Sequence, residues 1–322
     1  MKSEMSRIVL GTDWMIAVPN LASWNIAPTK RADSILNGAV EMGINSFDTA
    51  RMYWSEGVVG RFVRKHPLGR GAFRIISKGG HASLFWRTPL ARKKLLRQLD
   101  ESLRALGTDY IDVYLLHYDD PKVPAQAIAE WSVELLRSGK VHNVGYSNVS
   151  LARLKEFLAY LRQANVVPWV SNEFNALPAK DGERWKGAQN ISRDRTYVDY
   201  LRENGLPFLA YSPLGRGGLK RCIDRRLAER KPEDERRISR LISLGQKYSV
   251  PLSAIALNYI LQTAPNFHAV VGTSKLDHLN EDLRALTFQM SEGDRDGLAF
   301  PSGSCGSGEG PATGPSPKSH RQ

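Results

Sequence analysis

Cysteine is scarce: Cys222 and Cys305 are the only two in 322 residues. Two are too few for a disulfide framework or a CxxC zinc site, so free thiols in a reducing, cytoplasmic compartment are expected, with no metal. No run approaches the roughly 18 apolar residues of a membrane helix. The opening MKSEMSRIVLGTDWM has no apolar stretch of the kind a secretory leader carries. No G-x-G-x-x-G opens a helix after the first strand, which excludes the Rossmann fingerprint. Acidic residues are outnumbered, 33 against 45 Lys and Arg, for a formal net charge of +12. That excess is scattered among many arginines and not interleaved with aromatic residues in a stripe, so it reads as a solvated surface. No nucleic-acid or membrane partner is expected.

The residues that are present alternate between short apolar runs and amphipathic stretches. Strands are predicted at 7–12, 44–48, 73–78, 110–117, 141–148, 168–174, 207–212 and 268–273. Helical spacing of apolar residues fills 29–42, 56–65, 91–106, 124–137, 150–163, 194–204, 233–247, 252–262 and 276–286. Gly43, Gly107, Gly139 and Gly205 stand just past helices, where a left-handed C-terminal residue belongs. Ser150 reads as an N-cap. The fourth strand, YIDVYLLH, is nearly continuous in its apolar character and therefore buried on both sides. About eight such strands, nearly all followed by a helix, predict an α/β fold of the (β/α)8 TIM barrel type as a single domain over 1–300. A doubly wound sheet is the alternative. From 301 to 322 the composition turns to Gly, Pro, Ser and Lys with almost no apolar residue, which predicts a disordered tail.

In a barrel the active face lies at the carboxyl ends of the strands. Those ends carry Asp48, Lys78, His117, Ser147 with Asn148, Ser171 with Asn172 and Glu173, Tyr211 with Ser212, and 272–275. Tyr53 follows just past the second. Taken singly, Asp48 could cap a turn, Tyr53 could be a half-buried aromatic and His117 a satisfied core histidine. Four chemically capable residues on one face make the site.

The same residues carry a resemblance. DTARMY, the lysine closing IISK, the histidine closing YIDVYLLH, GYSN, AYSPLGRGGL and GTSKLDHL resemble, in order, the signatures of the aldo-keto reductase superfamily, over roughly residues 9–286. The LLHxDDP pattern after the fourth strand is most similar to bacterial members.

The resemblance implies a carbonyl reductase with catalytic Asp48, Tyr53, Lys78 and His117. Hydride goes to carbon from a nicotinamide, and the developing alkoxide needs a proton. Tyr53 is the implied donor. A phenol of pKa about 10 is a poor acid, so Lys78 is expected to lower it. At 4 Å and an effective dielectric of 20 the attraction is about 4 kcal/mol, or roughly three pKa units at most, with burial acting the other way. Asp48 would keep Lys78 charged and oriented, and His117 would orient the substrate oxygen.

For the cofactor, the resemblance implies Gly11 and Thr12 at the first strand end, Ser147 and Asn148 on the carboxamide, and Tyr211 stacked on the ring. Ser212, Pro213, Leu214 and Gly215 would pass over the pyrophosphate. Gly272, Thr273, Ser274 and Lys275, with His278 and Asp282, would hold the adenosine end. A helix N-terminus with a lysine beside it suits a 2′-phosphate, which favours NADPH, with NADH possible. The chain departs from many relatives at Trp54, in place of glycine, and at Ser171, in place of a glutamine that contacts the carboxamide. Asp282 replaces an asparagine, and His278 replaces an arginine.

Trp14, Trp54, Phe85, Trp86 and Tyr118 are expected to wall the pocket for a small carbonyl or sugar-like substrate. Two alternatives stay open. The first is an aldose or alcohol dehydrogenase running in the oxidative direction. The second is a regulatory subunit that binds nicotinamide nucleotide without turnover.

Overall fold

Alternation along each short apolar run decides which way its side chains face. The computed structural model describes residues 4–13, 30–80, 90–176, 188–215, 219 and 232–299. The strands are β1 (Ile8–Gly11), β2 (Ser46–Asp48), β3 (Arg74–Gly79) and β4 (Val113–Leu116), then β5 (Val144–Ser147), β6 (Trp169–Glu173), β7 (Phe208–Tyr211) and β8 (Phe267–Val271). Each pairs in parallel with the next, and β8 pairs with β1, closing a barrel. Within β1, Ile8 and Leu10 pack outward in the main core while Val9 joins Ile76, Val113, Leu115, Leu209 and Val270 in a second core inside the barrel.

The helices are α1 (Lys30–Glu41), α2 (Glu56–Lys65), α3 (Arg92–Leu106), α4 (Ala125–Arg137) and α5 (Leu151–Leu161). Then come α6 (Arg195–Glu203), α7 (Pro232–Tyr248), α8 (Leu252–Thr263), α9 (Leu276–Leu283) and α10 (Glu292–Asp296). In α3, Leu95, Leu99, Leu103 and Leu106 recur at helical spacing and are buried. Each fully buried leucine contributes about 2 kcal/mol, and Leu99→Ala would cost about 3 kcal/mol through the cavity it leaves. The chain turns out of α3 at Gly107, φ +62°, whose N–H reaches the Leu103 and Arg104 carbonyls. The predicted N-cap is present: the Ser150 side chain accepts from the Arg153 N–H at 3.3 Å.

Several boundaries differ from the sequence expectation, and β5, expected from 141, begins at Val144. β4 begins at Val113 rather than at 110, because the Asp112 carboxylate takes the Ile75 N–H at 2.9 Å. α5 and α9 tighten into 3-10 turns over Arg162–Ala164 and Arg284–Leu286. The five-residue α10 has too short an apolar period to be seen in sequence; Asp294 holds it in place through Lys247, Tyr248 and Arg240. Among the described residues no helix is long and apolar enough to cross a membrane. The tail, 301–322, lies outside the described residues.

Candidate active site at the carboxyl ends of the strands

The period of two in β2 and β3 turns Asp48 and Lys78 to the barrel interior, where they meet across neighbouring strands. Lys78 Nζ donates to Asp48 Oδ1 at 2.6 Å, to Oδ2 at 2.7 Å and to the Thr49 carbonyl at 2.9 Å. Both side chains are buried, so the pair is desolvated and its geometry is held by all three bonds. The strand end is fixed by Thr12, whose N–H and hydroxyl both reach the Asp48 carbonyl, at 3.0 and 2.9 Å. Thr49 is tied in the same way to the Ile76 carbonyl.

Tyr53 ends the 3-10 turn Arg51–Tyr53, and Trp54 closes that turn at φ +60°. The turn brings the Tyr53 ring over the lysine, with Lys78 Nζ 4.8 Å from the ring centroid. His117 follows β4 and meets the same ring edge-on, 5.6 Å between centroids, while its other side stacks on Tyr118. The four candidate catalytic residues therefore converge, although they are spread from Asp48 to His117 in the sequence.

The expected lowering of the Tyr53 pKa is corrected by the structure. Burial, then the charges of Asp48 and Asp13, push the phenol well above its ordinary value. Lys78 Nζ gives its three hydrogen bonds to Asp48 and Thr49, and the adjacent carboxylate cancels much of the lysine's field at the phenol. Burial likewise raises Asp48, against the pull of Lys78.

A cavity of about 960 Å³ opens over these residues. It runs from Met52, Tyr53 and Tyr118 past Asn148 and Tyr211 to Ser253, His278, Glu281 and Asp282. Its size is at the top of the range for cofactor sites. Asn148, at φ +56°, donates to the Ser147 hydroxyl and the His117 carbonyl at 3.1 and 3.0 Å and accepts from the Tyr211 hydroxyl at 2.6 Å. An aromatic ring beside an amide and a hydroxyl fits a flat heterocycle carrying a carboxamide. Among the described residues no group of acids, histidines and cysteines could hold a metal ion.

A family model described as the aldo/keto reductase family matches residues 7–297. The chain belongs to that family. It is 27% identical to aldo-keto reductase str7 of Strobilurus tenacellus, covering 80% of this chain and 77% of that one. It is 25% identical to L-glyceraldehyde 3-phosphate reductase of Escherichia coli, over 85% and 84% of the two chains. In fold it is similar to a thermostable aldo-keto reductase crystallised with the inhibitor epalrestat, with a TM-score of 0.67, 24% identity, and coverage of 92% and 95%. The protein is thus an NAD(P)H-dependent oxidoreductase acting on small carbonyl compounds.

Of the residues assigned to the cofactor in this aldo/keto reductase, Gly11, Ser147, Asn148, Tyr211, Ser212, Pro213, Leu214, Gly272, Thr273, His278 and Asp282 line the cavity. Thr12 and Ser171 are buried beside it, and Gly215, Ser274 and Lys275 stand outside its lining. Of the residues expected to wall the substrate pocket, Tyr118 lines the cavity, whereas Trp54 is 51% exposed and stands outside its lining. Trp14, Phe85 and Trp86 lie outside the described residues.

Sequence reasoning missed Asp13, Met52, Leu219, Ser253 and Glu281 in the lining. Asp13 and Glu281 each neighbour an assigned residue, so a wider window around each strand end would have found them. Arg31 had no such signal: it reaches the Ser274 carbonyl across 243 positions, at 3.2 and 3.1 Å, and adds a cation to that rim. Burial raises Asp282 to about 7, with Glu281 adding to the rise and the Ser253 hydroxyl opposing it.

Proposed function

We propose that the enzyme reduces an aldehyde or ketone with NADPH, with Tyr53 as the proton donor. The observation that carries this reading is the Tyr53 ring packed over Lys78, which is itself held by both oxygens of Asp48 inside the cavity. The nicotinamide, when bound, supplies the hydride. Tyr53 keeps its proton throughout the neutral range because burial and two carboxylates raise its pKa. It releases the proton only to a stronger base, and the alkoxide developing on the substrate is one. Lys78 steadies the phenolate left behind, Asp48 keeps the lysine oriented, and His117 orients the carbonyl oxygen from the other edge of the ring.

Ser147 and Asn148 would hold the carboxamide and Tyr211 the ring face. At the far end, Thr273 and Lys275 before α9, with Arg31 beside Ser274, supply donors and positive charge for a 2′-phosphate. A phenol held protonated also favours reduction over alcohol oxidation at neutral pH, since oxidation needs the phenolate as base. We place the reaction in the cytoplasm, where Cys222 and Cys305 remain thiols.

The test is NADPH and NADH oxidation, followed by absorbance against a panel of aldehydes, ketones and sugars, for the wild type and Tyr53→Phe. Turnover with NADPH in the wild type and its loss in Tyr53→Phe, with cofactor binding retained, is the expected result. Substantial turnover by Tyr53→Phe would overturn the assignment.

A further inference from the structure

Glu56 is a buried carboxyl that the reaction does not use. It opens α2 three residues after Tyr53, yet is only 1% exposed. Its Oε1 accepts from the Ser77 hydroxyl at 2.7 Å, and its Oε2 lies 3.6 Å from Arg51 Nη1. Arg51 in turn donates to Glu101 of α3 at 3.2 Å.

The location of these contacts matters more than their number. Arg51 begins the same three-residue turn that Tyr53 ends. Ser77 immediately precedes Lys78 in β3, and alternation turns the two side chains to opposite faces of the strand. The chain of contacts Glu101, Arg51, Glu56, Ser77 therefore runs behind the barrel wall and joins the turn that carries Tyr53 to the strand that carries Lys78. Tyr114 packs into the same layer, its hydroxyl so close to Gly79 that a Cβ there would come within 2.0 Å. On the other side, Ser55 meets the Thr12 hydroxyl at 2.7 Å, so the segment is anchored at Ser55 as well as at Glu56.

We propose that Arg51 and Glu56 form a positioning clamp that sets Tyr53 against Lys78. This rests on the reading of Tyr53 as proton donor. A turn of three residues closed by Trp54 at φ +60° has little of its own to fix its angle to the sheet, because a bulky residue in the left-handed region is strained. The guanidinium supplies that angle by bracing the turn against α2 and α3 together. Burial raises the Glu56 carboxyl, while Ser102, Ser77 and Arg51 pull it back towards ionisation.

The experiment compares Arg51→Met, Glu56→Gln and the double variant with the wild type. Steady-state kinetics with NADPH and one accepted carbonyl compound are read beside cofactor Kd by fluorescence, the pH profile of kcat, and thermal unfolding. Each single variant should lower kcat about tenfold, since misplacement of a reacting group by about 1 Å can cost up to a hundredfold. Cofactor Kd should be unchanged, the alkaline limb of the pH profile should move, and the double variant should be no worse than the worse single. Arg51→Lys should restore part of the loss.

Unchanged kcat and pH profile in folded Arg51→Met enzyme would overturn the clamp, even if Tm fell. Glu56→Gln buries a neutral group and can fail to fold; Arg51, whose side chain is 35% exposed, keeps the test intact. If Tyr53→Phe itself stays active, the underlying assignment is what fails. If Tyr53→Phe is inactive and Arg51→Met is not impaired, only the clamp fails.

Discussion

The two ends of the barrel hold the same kinds of side chain and do different things with them. At the carboxyl ends, Asp48 is bound by Lys78 beside Tyr53 and His117. At the amino ends, Asp112 is bound by Arg70 at 2.7 Å, with Arg74 at 3.5 Å and His142 at 3.8 Å, and Arg70 lies over the Tyr110 ring, which stacks on His142. Acid, base, phenol and imidazole recur in both. The difference is what faces them. The first set lines a cavity of about 960 Å³, whereas none of the second set lines it. Asp112 also spends one oxygen on the Ile75 N–H, so its charge is committed to the backbone of a neighbouring strand. A list of titratable residues cannot tell these clusters apart; their place along the strand can.

The contrast can be broken most forcefully at Lys78. Lys78→Met should reduce kcat by about a thousandfold, within the usual range for loss of a group supporting acid catalysis. Single-turnover kinetics would measure this, and a loss under tenfold would mean that the carboxyl-end cluster is structural like its counterpart. It should also lower stability by about 3 kcal/mol, because Asp48 is left as a buried, unpaired charge.

Asp112→Ala is the reciprocal change. It removes the acceptor of the Ile75 N–H and the carboxylate paired with Arg70 and Arg74, at a cost of about 3 kcal/mol. Denaturant midpoints should fall accordingly, while kcat of the folded enzyme at 25 °C stays within about twofold of wild type. A kcat that collapsed without loss of stability would make the amino end a second functional site.

His268, also in the wall, sharpens the distinction through pH. Burial lowers its pKa from 6.5 to about 4, and its Nδ1 is 3.0 Å from the Ser6 carbonyl, which requires the N–H tautomer at that atom. The folded value lies below the unfolded one, so between pH 4 and 6.5 the unfolded chain binds more protons. The stability is therefore complete above pH 6.5 and is lost as pH falls through 4, by about 3 kcal/mol in all. Equilibrium unfolding across that window should show the slope in the wild type and a shallower one in His268→Gln.

The smallest effect is expected at Asp282, which faces the cavity. Its pKa of about 7 lies above the unfolded value of 3.8, so the folded state holds the extra proton and stability declines as pH rises from 3.8 through 7. Above pH 7 the new negative charge opposes a phosphorylated ligand. NADPH affinity should weaken as pH rises through 7, and Asp282→Asn should recover about fivefold at pH 8, close to 1 kcal/mol of like-charge repulsion. Isothermal titration at pH 6 and 8 distinguishes this from a pH-independent adenosine end.

Much of this was legible in the sequence. Among the described residues, the eight strands, nine of the ten α-helices named above and the glycine stops at Gly43, Gly107, Gly139 and Gly205, all at positive φ, follow from local period and backbone sterics. The convergence of Asp48, Tyr53, Lys78 and His117 followed once the strand ends were known. The Tyr53 pKa did not, because its direction is set first by burial and then by the charges of Asp48 and Asp13, which only the folded chain brings to it. Arg31 on Ser274 was equally hidden, since no pattern links residues 243 positions apart.

By itself, then, the sequence determined where the chain is helix and where it is strand, and which chemical groups stand at each strand end, because those are set by neighbours within a few residues. Tertiary structure alone decided which groups face one another. Closing the sheet put Ser77 against Glu56 and Lys78 against Asp48 on opposite faces of β3, and burial then raised the pKa of both carboxyls.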